Sequence, residues 1–495
     1  MTKIPFKHCC ILLLLLSACS LLTARQKEMA GNGQTPPPLK PHPPVTTSHE
    51  ITLEGRKITY DATVGYLRLV NSESQPQAYF FFTAYRIQTH PPSVRPLTFC
   101  FNGGPGASSF YLHLLTIGPR RALLNPDGHT PAPPPRLVDN PHTWLSATDI
   151  VMVDPIGTGF SRPAPGVEGG KFWGTHEDAR SVAEFIRLYL TENDRWLSPI
   201  YIAGESYGGI RGALLALELQ SNRQISLDIN GLIYISPALD MRHVFVGDHD
   251  ALGMALYFPT YCTTAWFHHR VAPAYQTDFS LLEKAARDFA LGDYLPALLQ
   301  GSGLSETRML KLAKQMSDLS GLPVSFLLRQ KLRITPGEFR NELLKDRRIT
   351  VDRLDARFPT GTYDLTQTLS PLINHYLRVE LGYRTQRPYT NTAILFNRWN
   401  WDPFSLSVLP QLAETVNRNP HLKIFCAAGY YDFACPYFVI DHCLNQLQLD
   451  EGLDQNITRR CYRAGHMVYN SEPELIRFNR AVIEFIRSTS RRESP

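Results

Sequence analysis

The stretch Ile200-Tyr201-Ile202-Ala203-Gly204-Glu205-Ser206-Tyr207-Gly208-Gly209 decides how the chain reads. A short apolar run halts at a glycine, and a serine follows two residues later. This is G-x-S-x-G at a strand-to-helix junction, which sets a serine on a sharp, strained turn with its oxygen exposed above a sheet. Ile210, Ala213, Leu214 and Leu217 then recur at i, i+3, i+4 and i+7, one face of a helix. Gly204 and Gly208 flank the serine where a Cβ would crowd the turn. An ordinary strand-to-helix turn has the same outline, so the rest of the chain must separate the two readings.

Upstream, Ile51 to Ile87 alternates apolar and polar residues around turn formers, an antiparallel β start. Leu97 to Phe101 is continuously apolar, as in a strand buried on both faces. It runs into Asn102-Gly103-Gly104-Pro105-Gly106. A phosphate loop would need a lysine and a Ser/Thr after the glycines, and none follows. The alternative is an oxyanion loop, whose glycines let backbone N–H groups approach a ligand. Ile150 to Val153 is a further buried strand, leading into Asp154-Pro155-Ile156-Gly157-Thr158-Gly159; the full G-x-G-x-x-G of a dinucleotide site is missing. Thr175-His176-Glu177-Asp178 reads as a capping box before a helix with Val182, Phe185, Ile186, Tyr189 and Leu190 on one face. Leu232 to Ile235 is the next strand. Strands alternating with helices predict an α/β fold with a mainly parallel sheet.

After Asp240 the alternation stops. Residues 241–395 are mostly helix-patterned, and such an insertion reads as a cap over a site. The catalytic domain would then comprise 49–240 and 396–495. Within its second part, Leu422 to Cys426 runs into Gly429-Tyr430-Tyr431-Asp432. A short run near Cys461 leads to Ala464-Gly465-His466-Met467. Leu475, Phe478, Val482, Phe485 and Ile486 share one face of a last helix.

A serine hydroxyl near neutral pH needs a base in hydrogen-bond reach, and the base needs an orienting acid. On folds with a nucleophile elbow these follow in the order Ser, Asp, His, on loops after later strands. Ser206, Asp432 and His466 come in that order. His113, His142 and His268-His269 lie upstream of the acid or in the insertion, where structural roles suit them better.

FNGGPGASS from Phe101, DPIGTGFSRP from Asp154, AGESYGG from Ala203, AGYYDFACP from Ala428 and AGHMVY from Ala464 together resemble the serine carboxypeptidases of the α/β-hydrolase superfamily, in particular their exported bacterial branch. The resemblance implies an α/β-hydrolase fold with a helical cap, and peptide substrates cleaved without metal or cofactor. It gives Ser206 the role of nucleophile, Asp432 that of acid and His466 that of base. The N–H groups of Gly104 and Tyr207 match the oxyanion hole. Asn102, Gly103 and Glu205 match residues that hold a substrate's terminal carboxylate. Two positions depart from the pattern: many relatives have a disulfide cysteine where Ala107 stands, and some have a second carboxylate-recognising glutamate where Thr116 stands. Glu205 has a logic of its own. Neighbouring carboxylates cannot both stay charged cheaply, so one pKa rises, and a protonated Glu205 would donate to a substrate carboxylate. An esterase or acyltransferase on the same triad, or a silent peptide-binding lipoprotein, are the competing readings.

At the N-terminus, Lys3 and Lys7 precede the apolar run Ile11 to Leu16, which is too short to span a bilayer. This is a secretory signal, and Leu16-Ser17-Ala18-Cys19 resembles a lipobox, which would make residues 1–19 a lipoprotein signal with Cys19 lipidated. Cleavage after Ala24 and simple secretion is the alternative. Residues 20–48 are proline-rich and read as a tether holding a globular body off a membrane. Lipidation would place the protein on the periplasmic side of the envelope, with membrane contact only through Cys19. The formal charge of +5 over 495 residues is small and no basic run stands out, so nucleic acid is not an expected partner. Beyond the signal, Cys100, Cys262, Cys426, Cys435, Cys443 and Cys461 remain; an exported chain can oxidise them, and sequence does not choose among pairings. Cys100 and Cys426, in strand-like runs, read as buried small hydrophobes.

Overall fold

A computed structural model describes residues 43–88, 91, 95–362, 364–402 and 406–490. The expected signal, Cys19 and the tether up to residue 42 lie outside them. Residues 45–48, assigned to the tether by composition, are the start of the first strand. Strands β1 (Val45–Leu53), β2 (Arg56–Val70) and β3 (Pro76–Arg86) form the antiparallel start. Then come β4 (Leu97–Phe101), β5 (Asp149–Val153), β6 (Arg162–Pro163), β7 (Ile200–Glu205), β8 (Gly231–Ile235), β9 (Lys423–Gly429) and β10 (Ile457–Tyr462). The sheet order is β1-β2-β3-β5-β4-β7-β8-β9-β10, with β6 paired to β3. From β5 to β10 every neighbour is parallel.

Period-two alternation splits the core between the two faces of the sheet. Phe99, Phe101, Ile202, Leu232, Tyr234 and Ile424 pack on one side with helices α1 (Thr175–Glu192) and α2 (Gly208–Ser221). Cys100, Tyr201, Ala203, Ile233, Ile235 and Phe425 pack on the other, where α5 (Glu472–Thr489) brings Leu475, Phe478, Val482, Phe485 and Ile486. Each fully buried large aliphatic or aromatic side chain contributes about 1.5–3 kcal/mol. Between these lie α3 (Leu409–Arg418), packed against α2, and α4 (Tyr437–Asn445). Because α2 sits between the sheet, α1 and α3, it is buried on more than its predicted stripe, whereas Leu217 is only half-buried.

The capping box expected at Thr175 is not formed. Thr175 is the first helical residue, the N-cap is Gly174 with an extended backbone, and no side chain caps the end. A Cβ at residue 174 would lie 2.2 Å from the Glu177 carboxylate, so the glycine leaves room for that side chain at the helix entry. Asp178 is drawn away to Arg211 instead.

Between β8 and β9 the chain forms helices Ala251–Phe267, Phe279–Phe289, Glu306–Ser320 and Thr366–His375 with shorter turns. Leu256, Phe258, Leu282 and Leu312 from this insertion belong to the same cluster as Ile202 and Leu214, so that part shares the core of the α1–α2 face, while Leu369, Leu372 and Ile373 of helix Thr366–His375 join the opposite face. All six cysteines among the described residues are free thiols. Cys100 and Cys426 are buried strand residues.

Candidate active site

Asn102 and Gly103 follow β4, Ser206 follows β7, Asp432 follows β9 and His466 follows β10. All lie beyond the carboxyl ends of parallel strands, where a doubly wound sheet opens a crevice. Asn102, Gly103, Gly104, Glu205, Ser206 and His466 line one cavity of about 240 Å³, closed by Tyr111, Leu354, Asp364, Thr392 and Met467.

Ser206 has φ +61°, a left-handed conformation rare for a residue with a side chain. Its N–H donates to Ile235 O at 3.1 Å, and its carbonyl accepts from Gly209 N at 2.8 Å and Ala238 N at 2.9 Å. The turn is thus pinned on both sides of the serine. Of the flanking glycines, Gly204 is the stricter: a Cβ there would meet Gly208 O at 2.3 Å, whereas one at Gly208 finds nothing nearer than 3.3 Å. Gly103 packs directly on the elbow, and a Cβ there would lie 2.5 Å from Tyr207 N. That contact brings the loop of Gly104 alongside the first amides of α2. Asp154 fixes the far end of the same loop, accepting from Ser109 N at 2.9 Å and Ser109 Oγ at 2.8 Å.

His466 Nδ1 and Asp432 Oδ2 are 2.7 Å apart. Asp432 is fully buried, and its other oxygen accepts from Ala434 N at 2.7 Å and Cys435 N at 3.0 Å. Burial pushes the His466 pKa down, but the charge and hydrogen bond of Asp432, with Glu205, carry it above the ordinary value. The His466 loop is anchored from the insertion: His466 N donates to Leu354 O at 2.6 Å and Gly465 N to Asp355 Oδ2 at 3.2 Å. The same segment binds the Asp432 loop through Phe433 N to Arg353 O and Ala356 N to Tyr431 O, each at 3.0 Å.

Glu205 is 3% exposed and its pKa is raised to about 7. Burial is the main cause, with the Asp432 charge adding to it; the His466 charge and hydrogen bonds from Tyr469 and Asn102 act the other way. Desolvation thus exceeds the like-charge effect expected from sequence. Tyr469 Oη donates to both carboxylate oxygens, at 2.8 and 3.0 Å, and Asn102 Nδ2 donates to Oε2. Tyr469 lies in the same short motif as His466, three residues on, but a tyrosine there carries no signal that it bonds an acid on another strand.

Behind the elbow, Arg211 on α2 pairs with Asp178 on α1 at 2.6 Å and donates to Asn102 O at 2.6 Å; both side chains are buried. The guanidinium lies 4.9 Å from the Phe101 ring centroid and 5.2 Å from that of Tyr207. Thr116 is turned away from the cavity: it is fully buried and its Oγ1 donates to Asn479 Oδ1 at 2.8 Å. His113 is a core residue with its Nε2 2.5 Å from Tyr85 Oη and a pKa lowered to about 3 by burial. Among the described residues no cluster of three or more His, Cys, Asp or Glu is placed to hold a metal ion.

The architecture is that of the α/β-hydrolase fold, and known proteins resemble the chain over part of its length. The family model for serine carboxypeptidases matches residues 54–275. Serine carboxypeptidase-like 36 of Arabidopsis thaliana is 31% identical over 197 residues, 37% of this chain and 36% of that one. A carboxypeptidase Y homolog of Arthroderma benhamiae is 29% identical over 180 residues, 36% of this chain and 33% of the relative. The chain therefore spans about a third of the length of these relatives in alignment. The crystal structure of a prohormone-processing carboxypeptidase from Saccharomyces cerevisiae superposes with a TM-score of 0.56 at 16% identity, covering 87% of this chain and 91% of the other; this likeness is one of fold.

Proposed function

We propose that the protein is a serine-type carboxypeptidase that releases C-terminal residues from peptides. The observation that carries the reading is that Ser206 and the Asp432-paired His466 share one cavity with the Asn102–Glu205 pair. Ser206 Oγ attacks the scissile carbonyl carbon as His466 Nε2 takes the hydroxyl proton. The N–H groups of Gly104 and Tyr207 receive the developing oxyanion. On collapse the C–N bond breaks, the proton passes from His466 to the leaving amine, and an acyl-serine remains. Water activated by His466 then hydrolyses that ester. Asn102, Gly103 and Glu205 hold the terminal carboxylate of the leaving residue. The helical insertion of residues 241–395 acts as the cap.

The test is mass spectrometry of a mixed peptide library after digestion. Stepwise C-terminal trimming by the wild type, absent with Ser206→Ala, is the expected result. Intact peptides alongside hydrolysed esters would replace the reading with an esterase or acyltransferase. A wild-type protein that resists fluorophosphonate labelling would replace it with a silent binding protein.

A pH dependence follows from Glu205. A carboxyl with a pKa near 7 is protonated below that pH and can donate to the substrate's carboxylate; above it, two carboxylates would face each other. KM for a blocked dipeptide is expected to rise about tenfold per pH unit above 7, while Glu205→Gln, neutral throughout, shows no such rise. A wild-type KM that stays flat from pH 6 to 9 would remove this role.

Among the described residues no helix is long and apolar enough to cross a membrane. We place the protein outside the inner membrane, anchored through a lipid on Cys19, on the strength of the signal and lipobox sequence. Incorporation of a fatty-acid analogue should vanish in Cys19→Ala; equal labelling of that variant excludes the anchor.

A further inference from the structure

A second cavity, of about 600 Å³, lies against the first. Its walls include Phe245, Tyr257, Phe433, Asp248, Arg340 and Arg353. Only one thickness of chain separates the two: Arg353 lines the large cavity and the adjacent Leu354 lines the catalytic one. Phe433, on the same wall, directly follows the triad acid and donates its N–H to Arg353 O at 3.0 Å.

A line of aromatic rings runs beside this second cavity, from the buried ring of Tyr207 to Phe245 in its wall. Ring centroids of Tyr207 and Trp401 are 5.8 Å apart, those of Trp401 and Phe396 5.0 Å, and those of Phe396 and Phe245 6.0 Å. Phe396 is 39% exposed and Phe245 56%, an apolar surface that a soluble protein usually covers unless it binds something. The terminal carboxylate lies toward Asn102 and Glu205 in a cavity with room for little more than the leaving residue. The acyl part of a peptide must therefore leave Ser206 by another side, and the second cavity lies across the Arg353–Leu354 wall.

Two guanidinium groups stand at its end, Arg340 and Arg353. Arg340 and Arg353 form no ion pair among the described residues. Arg340 is held by Val351 O at 2.8 Å and Thr360 Oγ1 at 3.2 Å, so it is fixed in place with donor capacity to spare. Arg353 is exposed, and among the described residues its guanidinium has no hydrogen-bond partner. Asp248 also lines the cavity, and Asp352, whose charge acts on Arg340, has its Oδ1 taken up by Leu354 N and Asp355 N. Two guanidinium groups on a partly enclosed wall suit a carboxylate ligand, with charge-assisted and forked hydrogen bonds.

We infer that this cavity is a specificity site for an acidic side chain on the acyl side of the scissile bond, with Arg353 its principal contact. The inference rests on the carboxypeptidase reading of the neighbouring site. Peptides ending in a glutamate or aspartate one or two residues before the released residue are then the preferred class.

The experiment compares kcat/KM for blocked peptides ending in norleucine, with Glu, Gln or Leu placed at the penultimate or antepenultimate position. The wild type is expected to favour Glu over Gln about tenfold at one of the two positions, less at high salt. In Arg353→Met the ratio is expected to fall to about one, with part of it retained in Arg353→Lys. A ratio within one variant cancels any general loss of activity, so a merely structural effect does not move it. Cleavage of Gln and Leu peptides with no preference for Glu, or a preference that survives Arg353→Met, overturns the inference and leaves the carboxypeptidase reading standing. Failure to trim any of these peptides, while Ser206 still labels, overturns both.

Discussion

Replacing Asp432 with Asn is expected to lower kcat about 10⁴-fold with little change in KM or in the fold. The reason lies in what each carboxylate oxygen does. Oδ1 accepts two backbone N–H groups, from Ala434 and Cys435, so the single oxygen of an asparagine must stay there. Its NH2 group then faces His466 Nδ1, now 2.7 Å from Oδ2, and forces that nitrogen to accept. The proton moves to Nε2, the atom that must be bare to take the Ser206 proton. Steady-state kinetics on a blocked dipeptide and the rate of fluorophosphonate labelling both report this loss. A drop of less than tenfold in both would show that His466 is not oriented by Asp432.

The second large effect concerns stability. Asp178→Ala should destabilise the protein by about 3–5 kcal/mol, since it leaves Arg211 charged, buried and without its acid. The Arg211 bond to Asn102 O would shift with it, so the oxyanion loop should loosen before the global transition. Replacing both partners with apolar residues, Asp178→Leu with Arg211→Met, should cost less than the single change, because no bare charge remains. Urea denaturation of the wild type and the two variants checks this. A single variant within 1 kcal/mol of wild type, or a double variant worse than it, would show that the pair contributes through packing and not through charge.

Sequence carried the fold further than it carried the site. The continuous apolar runs at Leu97, Ile150, Ile200, Leu232 and Leu422 are legible because strands buried on both faces have no polar register to maintain. The elbow is legible because Gly204 has no room for a side chain. Three features were not. The Arg211–Asp178 pair joins two helices, and nothing at either position names the other. Thr175 matched a capping pattern, yet Gly174 took the cap. The segment 353–356 acts largely through backbone atoms, which leave no trace in residue identity. Glu205 is an intermediate case: its raised pKa was expected from a neighbouring charge, and burial proved the larger cause.

That backbone segment has a consequence for how the protein changes over time. Residues 353–356 grip the Asp432 loop with two hydrogen bonds and the His466 loop with two more, while the helix Ala251–Phe267 reaches the Asp432 loop through Tyr257 Oη to Phe433 O and Thr263 Oγ1 to Tyr430 O. The insertion is therefore not an interchangeable accessory. Swapping it for that of a relative would import a new floor for the triad along with a new pocket. Recombination that conserves residues 353–356 and their four contacts should yield working chimeras far more often than recombination at the outer ends of the insertion. New specificities are thus more accessible through side chains facing the two cavities than through exchange of whole segments.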